Sequence, residues 1–361
     1  MKKISFLMFA VFAFLLKANA QEPKFVSTEK QNRNVLIEDF TGVGCLNCPE
    51  GHLIANNIVN DNPGRVWTVN IHSGYYATNN PNLKTEDGDI IHNSIHSGAY
   101  PNAVINRSTP QTLTKDKWLE KSSEQMLQSA ECNLAGQVVI NSNTRVATIE
   151  VEVYYTEDSD NDKNYLTVMM LQDNIVAYQS GSEKNPSQVV SGGYNHMHIL
   201  RDVITPTWGE EIAPTTSSTL VRRTYSYKIP QIIGDPNGVA VDLDNINFIA
   251  FVTEKQEDAL TRPILNVNEL AIVEGDASAE SIGEETVSFN IYPNPVDDKL
   301  YIETEVEIEE VVVYDVYGRQ QELSAVSCQP SAIDVSNLNS GVYFVKVVTK
   351  EGETVKRFIK D

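Results

Sequence analysis

The spacing of apolar and polar positions divides the chain into stretches of different character. Residues 34–130 alternate between continuous apolar runs, typical of buried strands, and runs with helical spacing. The strand runs are 35–37, 66–71 and 103–105, and the helical runs are 54–59 and 114–130. A polar stretch at 73–98 lies between the second and third strands as an insertion. The order β–α–β, insertion, β, α predicts an α/β domain.

From 131 to 273 the pattern changes to strands separated by turn-rich segments. Ile149 to Tyr154 alternates apolar and polar residues, which is typical of a half-buried strand. The other expected strands are 137–140, 165–171, 222–229 and 247–253. Because no helical pattern interrupts them, this region predicts an antiparallel β-sandwich. An acidic linker is expected at 274–286, followed by a small all-β domain at 287–361.

The first residues predict export. Lys2 and Lys3 precede an apolar run that ends before Ala18-Asn19-Ala20, the pattern of a cleaved signal peptide at 1–20. Residues 21–33 then lead into the first domain, and no later run is long enough to span a membrane. The formal net charge of −21 argues against nucleic acid and against anionic membranes as partners.

Candidate chemistry is concentrated in Cys45-Leu-Asn-Cys48, between a strand and a helical run. A Cys-x-x-Cys pair in this position can cycle between dithiol and disulfide, because a helix N-terminus stabilises a thiolate. In an exported protein the same pair can be a static disulfide that fixes the start of the helix. Both interpretations stay open. Cys132 and Cys328 are far apart, and the sequence does not say whether they pair.

The C-terminal domain resembles the sorting domain of the type IX secretion system of Bacteroidota. The motifs that carry the resemblance are Ile291-Tyr-Pro-Asn-Pro295, Val313 to Arg319, Leu338 to Phe344 and Lys356 to Lys360. The resemblance implies recognition by the type IX machinery, and commonly removal of the domain with attachment of the rest to the cell surface. The sorting residues expected from it are Pro293, Asn294, Pro295, Gly318, Arg319, Gly341, Tyr343, Lys356, Arg357 and Phe358.

The region 34–273 resembles the 28-kilodalton outer-membrane-protein family of the same bacteria. The carrying motifs are Val35 to Gly42, Cys45-x-x-Cys48-Pro49, Tyr100-Pro101, Tyr194 to Arg201 and Thr207-Trp-Gly209. The resemblance implies a thioredoxin-like domain followed by a β-domain.

A thioredoxin-like domain assigns tentative roles to four residues. Cys45 would be the attacking thiolate at an exposed helix end, and Cys48 would resolve the mixed disulfide. Asp39 matches the buried acid that exchanges a proton with the second cysteine, and Pro101 matches the cis-proline that faces the pair. The residues Gly44 and Leu46-Asn47 depart from the thioredoxin pattern, so the direction of any redox reaction is undetermined.

Metal sites are weaker candidates. His52 follows Cys48 by four residues, His92 and His96 have helical spacing, and the carboxylates at 157–162 could hold calcium. None of these sets has the number and spacing of ligands that a metal site needs. We therefore expect these side chains to be solvated or hydrogen-bonded, with no metal and no cofactor.

Two functions follow. The first is a secreted binding or envelope protein at the outer membrane or cell surface, with a protein or surface ligand as partner. The alternative is a thiol–disulfide oxidoreductase that acts on exported proteins through Cys45 and Cys48. An oxidoreductase needs an exposed Cys45, whereas a binding protein should expose an apolar patch within 132–273.

Overall fold

In a computed structural model of the chain, most of the described secondary structure is β. The structure describes residues 22–78, 80–254, 262–273, 289–304, 306–315, 319–321, 325–326, 331–350 and 352–360. The expected signal peptide, the expected linker, Gly318 and Cys328 lie outside these residues. No helix among the described residues has both the length and the apolar character needed to cross a membrane.

The first unit has the predicted order of strands and helices. Its elements are β1 (Val35–Thr41), α1 (Cys48–Asp61), β2 (Val66–His72), α2 (Glu86–Ile95), β3 (Asn102–Ile105), β4 (Leu113–Thr114) and α3 (Trp118–Met126). Strand β1 is central, because it pairs parallel with β2 and antiparallel with β3. The alternation of its side chains supplies both faces of the sheet: Val35 and Ile37 pack with α1 and α3, and Leu36 and Phe40 pack with α2.

The insertion at 73–98 is more than the predicted polar stretch, because it contains α2. The Thr85 side chain caps this helix by accepting a hydrogen bond from the Gly88 backbone N–H at 2.9 Å. Ile91 and Ile95, one turn apart, bury the inner face. Only this narrow apolar face marks the helix in the sequence, which is why the pattern there predicted a polar insertion and no defined element.

The second unit is formed by two layers of strands with one core between them. Its strands are β5 (Cys132–Asn141), β6 (Val146–Tyr155), β7 (Asn164–Gln172), β8 (Ile175–Ala177), β9 (Val189–Val190), β10 (Gly193–His196), β11 (Ile199–Val203), β12 (Glu210–Ile212), β13 (Leu220–Lys228), β14 (Ile232–Ile233), β15 (Val239–Ala240), β16 (Ile246–Glu254) and β17 (Ile264–Val273). Side chains of β5, β6 and β13 share a hydrophobic core with those of β7, β16 and β17. Strand β17 pairs with both layers, antiparallel to β16 and, through Ala271 to Val273, parallel to β5.

The two units share one continuous sheet, which the sequence pattern did not predict. Strand β11 joins them, because Ile199 pairs with Gln172 of β7 on one side and with Asn70 of β2 on the other. All five residues of β11 are buried, as expected for a strand with neighbours on both sides. The described order along the sheet is β13-β6-β5-β17-β16-β7-β11-β2-β1-β3-β4, with β12 beside β7.

The C-terminal unit has two small sheets around a separate core. Its strands are β18 (Phe289–Tyr292), β19 (Lys299–Thr304), β20 (Ile308–Asp315), β21 (Gln320–Gln321), β22 (Ala325–Val326), β23 (Ser331–Asp334), β24 (Gly341–Thr349) and β25 (Gly352–Lys360). One sheet has the order β18-β19-β23-β22 and the other β21-β20-β24-β25. Phe289, Leu300, Val345 and Phe358 are among the residues of the core.

Candidate functional site

Cys45 and Cys48 form a disulfide, as the sequence predicted for an oxidised pair. Cys45 lies in the loop after β1, and Cys48 is the first residue of α1. The Cys48 backbone N–H donates a hydrogen bond to Cys45 Sγ at 3.1 Å. The expectation that Cys45 lies at an exposed helix end is wrong, because Cys45 is only 2% exposed and Cys48 is completely buried.

The disulfide is buried because a segment of the second unit lies over it. This segment, residues 178–184, is called the strap. The Gln179 side-chain amide donates to the carbonyl oxygens of Gly42 and Cys45, at 3.3 and 3.0 Å. The Ser180 backbone N–H donates to Val43 O at 2.8 Å. Three residues of the disulfide loop, Gly42, Val43 and Cys45, therefore accept hydrogen bonds from a segment more than 130 positions later in the chain.

Gly181 allows the strap to approach this closely. Its φ of +69° lies in the left-handed region that favours glycine, and a Cβ there would lie 2.1 Å from Leu46 O. At the end of the strap, Lys184 Nζ donates to Asn47 Oδ1 at 2.5 Å. The strap thus contacts Gly42, Val43, Cys45, Leu46 and Asn47 of the disulfide loop.

Asp39 lies on the face of β1 that is covered by α1. The side chain is completely buried, and neither carboxylate oxygen has a hydrogen-bond partner among the described residues. Burial raises the pKa of Asp39 well above its usual value, because the charged form loses its hydration without gaining a hydrogen bond. The nearest cationic candidate is His52 of α1, whose Nε2 lies 3.9 Å from Asp39 Oδ2.

His52 belongs to a buried group of side chains joined by hydrogen bonds and by tilted or edge-to-face ring contacts. Its two ring nitrogens lie 2.9 Å from Thr41 Oγ1 and 2.9 Å from the Tyr194 hydroxyl. The Tyr194 ring packs on His196 at 5.1 Å, and the rings of His196 and His72 are 5.5 Å apart. Sequence reasoning found His52 only as a possible metal ligand and missed this group, whose members come from β1, α1, β2 and β10.

The three buried histidines are neutral at physiological pH. Burial is the main cause that lowers their pKa values, to about 3 for His52 and about 4 for His196, and well below the usual value for His72. No group of three or more His, Cys, Asp and Glu side chains within the described ranges is arranged to hold a metal ion. The other sequence candidate, the acidic loop at 157–162, uses Asp158 to accept a hydrogen bond from the Ser217 backbone.

Pro101 lies against α1 after a cis Tyr100–Pro101 peptide bond. A Cβ at Gly51 would lie 2.8 Å from Pro101 Cγ, so the glycine permits this contact. On the opposite side of the sheet, the rings of His92 and His96 stack at 4.6 Å, and His92 Nε2 lies 2.5 Å from the Tyr100 hydroxyl. These two histidines therefore form part of an aromatic stack.

Four exposed apolar or aromatic side chains lie beside the covered disulfide. They are Leu46, Tyr75, Tyr76 and Tyr178, and we call them the rim. The exposed fractions are 55% for Leu46, 87% for Tyr75 and 62% for Tyr178. Leu46 lies within the disulfide loop, Tyr76 O accepts a hydrogen bond from the Gly44 N–H, and Tyr178 begins the strap. The rim therefore combines residues of both units.

Two known families match the chain in succession. The outer membrane protein Omp28 family matches residues 89–275. The chain belongs to the Omp28 family. A secretion system C-terminal sorting domain matches residues 290–361. Together these matches assign the protein to the outer membrane or cell surface after export that involves the type IX machinery. The Omp28 match begins after Cys48, so it does not include the disulfide.

One solved structure shows the same fold at low sequence identity. HBP35 of Porphyromonas gingivalis is 16% identical with a TM-score of 0.54, covering 91% of this chain and 98% of its own. A protein from Agrobacterium tumefaciens is 13% identical with a TM-score of 0.40, covering 72% of this chain and 100% of its own. No curated protein sequence matches the chain significantly.

The described sorting residues are distributed along the C-terminal unit. Pro293 and Pro295 each follow a cis peptide bond, and Asn294 Oδ1 between them accepts a hydrogen bond from the Ile359 N–H at 2.8 Å. Gly341 begins β24, in which the Tyr343 ring stacks on Phe358 at 5.7 Å. The remaining side chains are paired: Lys356 with the Phe289 carbonyl oxygen, Arg319 with Asp315, and Arg357 with Glu86 and Asp202.

Cys132 is a free, buried thiol. Burial raises its pKa, so the thiol stays protonated and unreactive.

Proposed function

We propose that this Omp28-family protein is a surface binding protein in which the thioredoxin-like domain, residues 34–130, and the strap of the second unit together present the rim to a partner. In this proposal the Cys45–Cys48 disulfide is a structural crosslink that fixes the position of Leu46. One observation carries the proposal: the strap buries both sulfurs while the aromatic side chains beside them remain exposed. Thiol–disulfide exchange requires a thiolate to reach a sulfur atom, and the strap blocks that approach.

The chemistry of the rim favours a protein or another apolar surface ligand. Tyrosine side chains supply large contact areas at low conformational cost and are enriched at protein interfaces. Tyr75 and Tyr76 pack edge-to-face at 5.1 Å, which limits the freedom of both rings. Contact with a partner would remove this exposed apolar area from water.

Site-specific photo-crosslinking on cells tests the binding role. A photoreactive phenylalanine analogue replaces Tyr75 or Tyr178 in the full chain, and Leu127 of the α3 C-terminus, which is 80% exposed, is the matched control position. We expect crosslinked products from the two rim positions and none from position 127. Equal products from all three positions, or none from the rim, would contradict a binding role for the rim.

The second candidate function is thiol–disulfide exchange with exported proteins. It is favoured by Asp39, which is buried with a raised pKa on the strand before the disulfide loop, and by His52, which lies one helical turn after Cys48. In this function an exported dithiol would first reduce the Cys45–Cys48 disulfide and become a disulfide itself. The Cys45 thiolate would then attack a substrate disulfide, form a mixed disulfide and release one substrate thiolate. Cys48, after giving its proton to Asp39, would attack Cys45 Sγ, which releases the second substrate thiolate and forms the Cys45–Cys48 disulfide again. The strap would have to move away from the disulfide before each exchange.

The reduction potential separates the two functions. The full chain is equilibrated in glutathione or dithiothreitol buffers, and the Cys45–Cys48 peptide is alkylated and quantified by mass spectrometry. A structural crosslink should resist reduction until the protein unfolds, or have a potential below about −300 mV. A potential between roughly −270 and −120 mV, with exchange activity lost in Cys45→Ser, would overturn our proposal in favour of the oxidoreductase.

A further inference from the structure

The sorting domain contacts the rest of the protein through its last strand. Strand β25 lies against β13, which is the end strand of the large sheet. Strand β25 is itself the end strand of its own four-stranded sheet. End strands carry unpaired backbone groups, and proteins commonly cover them with another element. The contact therefore shields two exposed sheet edges at once.

Arg357 of β25 extends from the sorting domain to two carboxylates of the body, residues 22–273. Its Nη1 lies 3.3 Å from Asp202 Oδ1 of β11, and its Nη2 lies 3.3 Å from Glu86 Oε2 in the first turn of α2. The planar guanidinium can reach both partners at once, whereas a lysine ammonium is a single point charge. Arg357 is also one of the residues that the sorting motif predicts to matter for export.

The carboxylates around Arg357 form a pocket with fixed geometry. The Thr207 hydroxyl donates to Asp87 Oδ1 at 2.5 Å, and the Tyr227 hydroxyl donates to Asp202 Oδ2 at 2.6 Å. Asp87 and Asp202 are both buried, which raises the pKa of each carboxyl, and the charge of Asp202 raises the pKa of Asp87 further. Arg357 opposes this effect by lowering the pKa of both carboxyls. Arg201 also lowers the pKa of Asp202, to a smaller extent.

A buried pair of carboxylates is stable only with a compensating cation or by taking up protons. Arg201 is already engaged, because its Nη2 donates to the carbonyl oxygens of Ile233 and Val239. Arg357 supplies a cation that makes ion pairs with both Asp202 and Glu86. The pocket in the body and the charge in the sorting domain are therefore complementary.

We propose that Glu86, Asp87, Asp202 and Tyr227 form a docking pocket for Arg357, which holds the sorting domain against the body and occludes this sorting residue. The secretion machinery can then bind Arg357 only after the domain undocks. In the docked state, the protein therefore masks part of its own export signal. This inference does not depend on what the rim binds or on the redox state of the disulfide.

Cleavage of the full chain within 274–286 tests the docking. A recognition sequence for a specific protease is inserted there, and after cleavage the two parts are followed by size-exclusion chromatography over a range of concentrations. The parent parts should co-elute. Arg357→Gln should weaken their association at least about ten-fold, because it leaves buried carboxylates without their cation. Lys350→Gln, which removes the same charge at a residue paired with Glu307, should leave the association unchanged.

A second substitution distinguishes docking from misfolding. Glu86 is 54% exposed at its side chain, so Glu86→Gln should fold normally. We expect Glu86→Gln alone to weaken the association about two- to five-fold relative to the parent. Added to Arg357→Gln, it should weaken the association no further. Circular dichroism melting of the uncut variants checks that both parts are folded. Separation of the parent parts on cleavage, or equal effects of Arg357→Gln and Lys350→Gln, would overturn the proposal.

Discussion

Asp39 Oδ2 and His52 Nε2 lie 3.9 Å apart in the protein interior, close enough for an ion pair that does not form. Burial raises the pKa of the carboxyl and lowers the pKa of the imidazole to about 3, so the imidazole is neutral at pH 7. Desolvation therefore outweighs the attraction between the two charges. The contact joins β1 to α1 beneath the disulfide without forming an ion pair.

The buried acid should lower stability at neutral pH. Because the folded-state pKa of Asp39 is raised, its contribution to the free energy of unfolding is fully present below the usual pKa of 3.8. This contribution is lost as pH rises through the folded-state pKa. We expect Asp39→Asn to raise the free energy of unfolding at pH 7 by about 1–3 kcal/mol. Urea denaturation measures the change. Asp61→Asn, at an exposed position, is the control, and an Asp39→Asn variant less stable than the parent would contradict the expectation.

The buried histidines should make the protein sensitive to acid. The folded-state pKa of His196 is about 4, below the usual 6.5, so its contribution to stability is present above pH 6.5 and is lost as pH falls toward 4. Below pH 6.5, His196→Gln should reduce the slope of unfolding free energy against pH by up to about 1.4 kcal/mol per pH unit. Urea denaturation between pH 4.5 and 7 provides both slopes. Since the effect of Asp39 has the opposite sign and is common to both proteins, it cancels in the difference. Identical slopes in parent and variant would show that His196 does not titrate on unfolding.

The sequence predicted the features that depend on neighbouring residues. The alternation from Ile149 to Tyr154 predicted β6, and the apolar run before Cys45 predicted β1. The spacing of two cysteines on either side of a turn predicted their disulfide. In each case a few consecutive residues determine the outcome, through side-chain direction in a strand or through the reach of a short loop.

The burial of the disulfide depends on contacts between distant residues and could not be read from local patterns. Gln179 and Gly181 reach the disulfide loop only because β8 and β10 place the strap there. The shared strand β11 has the same origin, since its partners in β2 and β7 lie 27 or more positions away. The exposure expected for Cys45 was wrong because residues near Cys45 in the sequence do not cover it, whereas the strap, a later segment, does.

A buried ion pair connects β1 to the end of β3. Arg107 makes two hydrogen bonds with the Glu38 carboxylate, at 2.8 and 2.7 Å, and its guanidinium lies 5.2 Å from the Trp208 ring. Removing one partner leaves the other charge buried and alone, so Arg107→Met should destabilise the protein by about 3–5 kcal/mol. The double variant Glu38→Leu with Arg107→Met should lose less stability than Arg107→Met alone. Urea denaturation of the parent, the two single variants and the double variant gives the four free energies of unfolding that the comparison needs. Losses that add up in the double variant would rule out the pairing.

The strap should control how fast the disulfide is reduced. A Cβ at Gly181 would lie 2.1 Å from Leu46 O, so Gly181→Ala must push the strap away from the disulfide loop. We expect the folded variant to be reduced by dithiothreitol at least about ten times faster than the parent, which corresponds to about 1.4 kcal/mol less protection of the sulfurs. Alkylation of the Cys45–Cys48 peptide at successive times measures the rate.

Gly64→Ala is the matched control for this experiment, because it separates the steric clash from backbone strain. Gly64 has nearly the same φ, +71°, but nothing lies within 4 Å of a Cβ there. Both variants therefore place alanine in the left-handed region at similar conformational cost, and only Gly181→Ala displaces the strap. If both variants are reduced at the same rate, faster reduction reflects lower global stability and not loss of the strap. If only Gly181→Ala is reduced faster, the strap is the barrier that protects the disulfide.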